Sequence, residues 1–195
     1  MKIDFAKEHS IPFRVVVVGC SGSGKTTFAT RLASALDISH IELDLLNWRP
    51  GWHDRYVHEF DAFQSDLAQE ISHENWVLAG GYTRVRSMIF ARASIVVWLD
   101  LPKHLVLRQV VCRSLMRVID RQPILNGNRE RFWQWFTNKG HPIQIVLFQF
   151  ARKRAKIEAQ LSDESAAHLM KIRCRSRQEV ADAFATLTSN KKARV

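Results

Sequence analysis

The feature that most constrains the fold of this chain is the segment Gly-Cys-Ser-Gly-Ser-Gly-Lys-Thr at residues 19–26. It matches the phosphate-binding loop pattern G-x-x-x-x-G-K-[ST] at every defined position. The apolar run at 13–18 predicts a buried strand before the loop, and residues 27–36 predict a helix after it. Because the pattern has meaning only between a strand and a helix, the segment predicts an α/β fold built around a nucleoside triphosphate site rather than a chance glycine-rich turn.

The residue types of the loop explain this preference for phosphate. Glycines let the backbone turn its N–H groups toward an anion, and the dipole of the following helix favours negative charge. Lys25 supplies a positive charge for the β- and γ-phosphates, and the hydroxyl of Thr26 is placed to bind Mg²⁺. We therefore expect a nucleoside triphosphate, ATP or GTP, together with Mg²⁺. The residues expected to bind the nucleotide are Gly19, Ser21, Gly22, Ser23, Gly24, Lys25, Thr26 and Thr27.

Length and composition fit one α/β domain that spans residues 1–195, with 46% hydrophobic and 25% charged residues. No run approaches the roughly 20 apolar residues that a membrane helix needs, and residues 1–8 contain acids but no signal-like apolar core. We expect a cytoplasmic protein without a membrane partner. The three cysteines are odd in number and widely spaced, which predicts neither a disulfide framework nor a zinc site.

The formal net charge of +10 favours a partner or substrate that carries several negative charges. Such a charge suits a nucleic-acid-binding protein, and it equally suits an enzyme that holds two polyanionic substrates in one cleft. Charge alone leaves both alternatives open.

A second strand is predicted over residues 38–44, where alternation places His40, Glu42 and Asp44 on one face. Two carboxylates thus lie at the carboxyl end of a strand, where open α/β sheets bind ligands. One interpretation is that a carboxylate holds Mg²⁺ through water or accepts a hydrogen bond from a substrate hydroxyl. The alternative is a solvated polar face.

Two tryptophans, Trp48 and Trp52, flank a Pro-Gly pair in the segment that follows. They are predicted either to stack on a planar substrate or to cover an edge of the core. We expect Trp48 to be the one that contacts substrate.

The remaining pattern predicts three more strands, at residues 75–79, 95–99 and 168–174. Helices are predicted over 56–73, over 85–91, after Pro102, over 142–161 and after the capping box at 176–179. The apolar stripe expected on the first of these helices consists of Val57, Phe60, Phe63, Leu67 and Ile71.

The helix after Pro102 carries an arginine every four residues, at Arg113, Arg117 and Arg121. Residues at this spacing share one helix face, and like charges there repel unless an anion neutralises them. The alignment therefore indicates bound phosphate, with a solvated basic face as the alternative. The apolar contacts of this helix are expected from Leu105, Val106, Val110, Leu115 and Val118.

Turn-forming residues enclose an aromatic segment at 132–136, which predicts a small lid at about residues 119–141 that folds over the phosphates and excludes water. The basic run at 152–156 is expected to be solvated surface.

Taken with the phosphate loop, residues 41–52 and 99–102 resemble the bacterial topology modulation proteins, which are related to adenylate kinase and shikimate kinase. The resemblance runs from about Arg14 to the last helix, and its most specific part lies between Ile41 and Trp52. It implies a three-layer phosphate-loop nucleoside triphosphate hydrolase fold with a five-stranded parallel sheet in the order 2-3-1-4-5. It also implies transfer of the γ-phosphoryl group of ATP, with Mg²⁺, to a small acceptor.

By the same resemblance, Arg84 falls near the arginine that contacts the acceptor phosphate in adenylate kinases, and Arg113 and Arg117 fall where lid arginines meet the transferring group. The chain departs from the family at Ala79, where adenylate kinases and many topology modulation proteins carry an aspartate before glycine. Either Glu42 or Asp44 then takes over the metal, or phosphoryl transfer is slow or absent.

These observations favour a kinase that acts on a small molecule or a nucleotide. The expected catalytic residues are Lys25, Asp44, Arg113 and Arg117; the expected substrate contacts are Asp44, Trp48 and Arg84; and the expected metal ligands are Thr26 and Glu42. Asp44 orients the acceptor hydroxyl or accepts its proton. The alternatives are a nucleotide-regulated nucleic-acid-binding protein and a hydrolase that uses water as the acceptor.

Overall fold

The protein is described by a computed structural model that covers residues 12–120, 123–138 and 140–192. A five-stranded parallel sheet forms its centre. The described residues form seven strands: β1 Arg14–Gly19, β2 Ser39–Glu42, β3 Trp48–Arg49, β4 His53–Asp54, β5 Trp76–Ala79, β6 Ile95–Leu99 and β7 Met170–Cys174. The main sheet has the order β2-β5-β1-β6-β7, which confirms the predicted fold and strand order. β3 and β4 pair separately as a short antiparallel hairpin, which the sequence did not predict.

The described residues also form nine α-helices: α1 Lys25–Leu36, α2 Leu43–Asn47, α3 Arg55–His58, α4 Phe60–Glu70, α5 Arg86–Arg92, α6 Lys103–Asp120, α7 Gln134–Thr137, α8 Pro142–Ser162 and α9 Arg177–Lys192. None of the helices formed by this part of the chain is long and apolar enough to cross a membrane.

Helices cover both faces of the sheet, and successive side chains of its central strand β1 pack alternately against one face and the other. Val15 and Val17 of β1 belong to one apolar cluster with residues of α1 and α9. Val16 and Val18 belong to another, with residues of α4, α5 and the end of α8. These three layers place the carboxyl ends of all five strands at one edge, where the phosphate loop begins.

Two boundaries differ from the prediction at this edge. β2 ends at Glu42, and Asp44 lies in the first turn of α2 instead of continuing the strand. The predicted helix over 56–73 is broken at Glu59, whose φ of −136° is not helical, into α3 and α4. Val57 is consequently 62% exposed instead of joining the apolar stripe, whereas Phe63, Leu67 and Ile71 are buried as expected.

The stripe predicted on α6 is confirmed in part. Val106 and Val110 are fully buried, but Leu115 is largely exposed, so its predicted apolar contact is wrong. The charge repeat holds at Arg113 and Arg117, which lie on one face of α6, while Arg121 lies outside the described residues.

The basic run at 152–156 is exposed, as expected, but it is not merely solvated. Arg154 donates two hydrogen bonds to Asp100, at 2.7 Å to Oδ1 and 2.9 Å to Oδ2, and Arg173 donates to the same carboxylate at 2.9 Å. Asp100 has a side chain only 2% exposed at the end of β6. This ion cluster ties α8 and β7 to the edge of the sheet that bears the candidate site.

Candidate active site

The phosphate loop has the backbone shape that its glycines predict. Gly22 and Gly24 have φ angles of 84° and 93°, in the left-handed region that favours glycine. A Cβ atom at Gly22 would overlap the side chain of Val110, so α6 packs directly on the loop. Gly19 has a φ of 155°, and a Cβ there would lie 2.8 Å from the carbonyl oxygen of Leu99. The loop is thus held closely between α1, α6 and β6.

Lys25 crosses back over this loop. Its Nζ donates a hydrogen bond of 3.0 Å to the carbonyl oxygen of Cys20. Burial lowers the pKa of Lys25, and the nearby Asp44 opposes that shift. The other predicted side-chain contacts of the loop differ in exposure: Ser23 is buried, Ser21 is half-buried and Thr27 is exposed. Oγ of Ser23 has no hydrogen-bond partner in the described residues.

Thr26 and Glu42, which the sequence predicts as metal ligands, lie together. The Thr26 hydroxyl donates to Oε1 of Glu42 at 3.1 Å. Burial raises the pKa of Glu42 to about 7, with the hydrogen bond from Thr26 opposing the shift. Oε2 of Glu42 is buried and has no hydrogen-bond partner in the described residues. Nε2 of His40 lies 3.9 Å from this oxygen. A buried carboxylate oxygen that lacks a hydrogen bond and lies beside a hydroxyl fits a hard cation such as Mg²⁺, which favours oxygen ligands.

Glu42 lies next to the strand position at which this chain carries Ala79 instead of the aspartate that the resemblance leads one to expect. Glu42 of β2 pairs with Ala79 of β5, so the two residues are neighbours at the ends of adjacent strands. In the described residues no cluster of three or more His, Cys, Asp or Glu side chains is arranged for a metal.

Asp44 faces the same edge of the sheet. It is exposed, and its Oδ1 accepts a hydrogen bond of 2.8 Å from the hydroxyl of Tyr82. Burial and the adjacent Asp44 carboxylate raise the pKa of Tyr82, which keeps the phenol protonated as a donor. Tyr82 therefore fixes one oxygen of Asp44 and leaves the other accessible.

Trp48 and Trp52 pack on each other, with ring centroids 5.6 Å apart and planes at 79°. We call residues 48–52 the tryptophan loop. The backbone N–H of Trp52 donates to Asn128 at 2.8 Å, and Asn126 donates to the carbonyl oxygen of Trp48 at 2.6 Å. Residues 124–128, the insert turn, are thus hydrogen-bonded to the tryptophan loop, which places part of the predicted lid beside the predicted acceptor contacts.

Arg84 lies further along the same side, but its side chain is engaged within the protein. Its guanidinium lies 3.3 Å from the ring centroid of Phe60, and its Nη1 donates to the carbonyl oxygen of Tyr56 at 3.3 Å. Arg84 thus lies near the predicted acceptor side, and its guanidinium packs on the ring of Phe60. Engaging an acceptor phosphate would require the side chain to leave that face.

The two predicted arginines of α6 have different surroundings. Burial lowers the pKa of Arg113, and the neighbouring Arg117 adds to the shift. Nε of Arg113 is buried with no hydrogen-bond partner in the described residues, and the side chain lines a cavity beside Gly22. Arg117 instead lies 3.5 Å from Oε2 of Glu130 in the insert. Arg113 therefore lines the cavity at the loop, whereas Arg117 faces the insert.

Glu130 was not singled out in the sequence, yet it organises the insert. Its other oxygen accepts a hydrogen bond from Nε2 of His141 at 2.8 Å, and Nδ1 of His141 accepts one from the backbone N–H of Ile143. Burial opposes ionisation of Glu130, but the hydrogen bond from His141 and the charge of Arg117 outweigh it and lower the pKa of Glu130 to about 2. The pairing of Glu130 with His141 is not local enough for a sequence pattern to reveal.

A cavity of about 490 Å³ opens beside the phosphate loop. It is bordered by Gly22, Ser23, Gly24 and Thr27 of the loop region and continues between α1, α6 and α9. Its volume lies within the range of small-molecule sites.

A family model described as an AAA domain matches residues 15–172. No curated protein matches the chain with statistical significance.

Solved structures of kinases share the fold. Shikimate kinase from Bacteroides thetaiotaomicron is similar with a TM-score of 0.54 and 15% identity, over 92% of this chain and 98% of that one. Shikimate kinase from Acinetobacter baumannii, solved in complex with shikimate, gives a TM-score of 0.53 and 22% identity over 94% and 96%. A gluconokinase from Sinorhizobium meliloti gives 0.50 and 15% over 94% and 98%.

Proposed function

The chain belongs to the AAA domain family, and from that premise we propose that it is an ATP-dependent phosphotransferase that moves the γ-phosphoryl group of ATP to a small acceptor. The observation that carries the proposal is the convergence of Lys25, the pair of Thr26 and Glu42, and Asp44 at one edge of the sheet. Catalysis of this kind needs mainly positioning and neutralisation of charge.

Each residue has a role that follows from its position. Lys25 and the loop backbone bind the β- and γ-phosphates, and Thr26 with Glu42 would hold Mg²⁺. Arg113 supplies positive charge on the side of the loop that faces α6. The metal, when bound, neutralises charge on the phosphate oxygens.

Asp44 acts on the acceptor. With one oxygen fixed by Tyr82, the other is free to accept the proton of an acceptor hydroxyl. The acceptor oxygen then forms its bond to the γ-phosphorus while the bond from that phosphorus to the β–γ bridging oxygen breaks, and ADP leaves. Trp48 and Arg84 are the proposed acceptor contacts, and the insert at 119–141 is the proposed lid.

The acceptor is proposed only as a class, a small hydroxyl compound or a nucleotide. The resemblance to topology modulation proteins does not fix it, and the shikimate kinase and gluconokinase structures are similar in fold. A hydroxyl compound would pass its proton to Asp44, whereas a nucleoside monophosphate would accept the phosphoryl group on an already ionised phosphate oxygen. A cytoplasmic location remains a prediction of the same proposal.

The test is a phosphoryl-transfer screen with ATP, Mg²⁺ and a panel of nucleoside monophosphates, shikimate, gluconate and related hydroxyl compounds. We expect ADP formation and a phosphorylated product with at least one acceptor, and loss of both on Asp44→Asn. Phosphate release that is independent of every acceptor would instead identify a hydrolase. DNA or RNA binding that responds to ATP, without any product, would identify the nucleic-acid-binding alternative.

A further inference from the structure

Two pairs of polar side chains connect α1 to β2. Thr26 and Thr30 are four residues apart and share one face of α1. His40 and Glu42 are two residues apart and share one face of β2. The Thr26 hydroxyl meets Glu42 at 3.1 Å in the proposed metal site. The hydroxyl oxygen of Thr30 lies 3.5 Å from Nδ1 of His40, one helical turn further along α1.

His40 and Glu42 face each other through two unpaired atoms. Nε2 of His40 and Oε2 of Glu42 lie 3.9 Å apart. Both atoms are buried, and neither has a hydrogen-bond partner in the part of the chain that the structure describes. A distance of 3.9 Å is too long for a hydrogen bond, but a shift of about 1 Å in either side chain closes it. Because an unpaired polar atom that is buried costs free energy, each of the two is the natural partner of the other.

We infer that His40 is a positioning residue for the carboxylate of Glu42, to which it donates a hydrogen bond from Nε2. This inference rests on the proposed function, because Glu42 is the carboxylate proposed to hold Mg²⁺. In neutral imidazole one ring nitrogen donates and the other accepts. With the Thr30 hydroxyl donating to Nδ1, the ring proton lies on Nε2, where it faces Glu42.

A donor on each side holds the carboxylate in one orientation. Oε1 of Glu42 accepts from Thr26, and Oε2 faces His40. A carboxylate that is already oriented loses less conformational freedom when a cation binds. Removing a side chain that orients a metal ligand typically lowers metal affinity by about 10- to 100-fold. His40 should therefore affect how strongly Mg²⁺ tightens nucleotide binding, and not how the nucleotide binds without the metal.

The experiment measures by calorimetry the Kd of the full chain for an ATP analogue with a β,γ-imido bridge, first with EDTA and then with Mg²⁺. The ratio of the two Kd values is the Mg²⁺ effect, and we expect it to be about tenfold or more in the wild type. His40→Phe keeps an aromatic ring but removes the donor. It should reduce the Mg²⁺ effect by about fivefold or more and leave the Kd in EDTA within about twofold. His40→Gln places an amide N–H near the position of Nε2 and should keep the effect within about threefold of the wild type.

Two further comparisons separate a positioning role from a structural one. In a Glu42→Ala background, His40→Phe should change the Mg²⁺ effect by less than about twofold, because the carboxylate through which His40 acts is gone. Thr30→Val removes the exposed hydroxyl that orients the ring and should cost about two- to threefold, so the test survives if the His40 variants fail to fold. His73→Phe is the matched control, since it makes the same change in an exposed turn and should leave both Kd values unchanged.

The inference is overturned if His40→Phe folds and keeps the wild-type Mg²⁺ effect, or if its loss persists undiminished in the Glu42→Ala background. Should the His40 variants not fold, an unchanged Mg²⁺ effect in Thr30→Val overturns it. In each of these cases the proposed function stands as long as Glu42→Ala itself lowers the Mg²⁺ effect. A wild type that binds the analogue without any Mg²⁺ effect, or does not bind it, contradicts the proposed function together with the inference.

Discussion

The hydroxyl of Thr26 lies 3.1 Å from Oε1 of Glu42, and this contact joins the first turn of α1 to the carboxyl end of β2. Glu42 pairs with Ala79 on the neighbouring strand β5. The contact with Thr26 therefore joins the phosphate loop to the strand end beside Ala79.

Glu42→Gln should raise the Mg²⁺ concentration needed for half-maximal turnover by about ten- to a hundredfold, because an amide is a much poorer ligand for a hard cation than a carboxylate. Titration of activity with Mg²⁺ at saturating ATP measures this shift. Glu164→Gln, on an exposed turn remote from the loop, should leave the Mg²⁺ dependence unchanged. An unchanged Mg²⁺ dependence in Glu42→Gln would exclude Glu42 from the metal site.

The insert turn should restrain the tryptophan loop. Asn128→Ala removes the acceptor of the Trp52 N–H and the donor to the carbonyl oxygen of Arg49. We expect hydrogen exchange at the Trp52 amide to quicken by about tenfold, in line with the loss of roughly 1 to 2 kcal/mol of local protection. Asn138→Ala is the control, because it removes a side chain of the same insert that accepts a hydrogen bond from the backbone N–H of Gly140. Equal exchange in both variants would refute the restraint.

Asp100→Ala should lower the free energy of unfolding by about 3 kcal/mol, because it leaves Arg154 and Arg173 without their shared carboxylate. The partial exposure of Arg154 reduces the penalty below that of a fully buried pair. Urea unfolding measures the change. Asp61→Ala, an exposed residue of α4, should cost less than about 1 kcal/mol, and an Asp100 variant as stable as this control would contradict the account.

The contribution of Glu130 to stability should depend on pH. Its pKa in the folded protein is lowered to about 2, below the ordinary value of 4.5, so its stabilisation is present above pH 4.5 and is lost as the pH falls toward 2. At neutral pH, Glu130→Gln should therefore be less stable than the wild type by about 2 to 3 kcal/mol, and the gap should close in acid. Urea unfolding of both proteins between pH 7 and pH 3 tests this, and a gap that is constant or widens in acid would contradict it.

Local patterns were sufficient to predict the strands of the sheet and the phosphate loop, whereas the order of the strands followed from the resemblance to topology modulation proteins. The buried strand before Gly19 and the helix after Lys25 follow from runs of apolar residues and from glycine geometry. The boundary after Glu42 was predicted wrongly, because alternation continues through Leu43 and Asp44 although the backbone has already turned into a helix. Apolar periodicity does not distinguish a strand end from a single helical turn of this length.

Contacts between segments that are distant in the sequence could not be predicted from sequence patterns. The amides of Asn126 and Asn128 reach the tryptophan loop, which lies 76 to 79 residues earlier in the sequence. The pairing of Arg117 with Glu130 similarly depends on where the insert folds. Equal spacing made Arg113 and Arg117 look equivalent, and only the fold shows that one of them already has a carboxylate partner.

Lys25→Ala offers the most direct measurement of the central claim. Transfer of ³²P from the γ-position of labelled ATP to an acceptor should be measured for this variant, for the wild type and for Lys171→Ala, an exposed lysine of β7. The account predicts transfer by the wild type and by Lys171→Ala, and at least about a hundredfold less by Lys25→Ala, because the charge that holds the β- and γ-phosphates is gone. ATP-dependent transfer by Lys25→Ala at a rate near that of the wild type would contradict it.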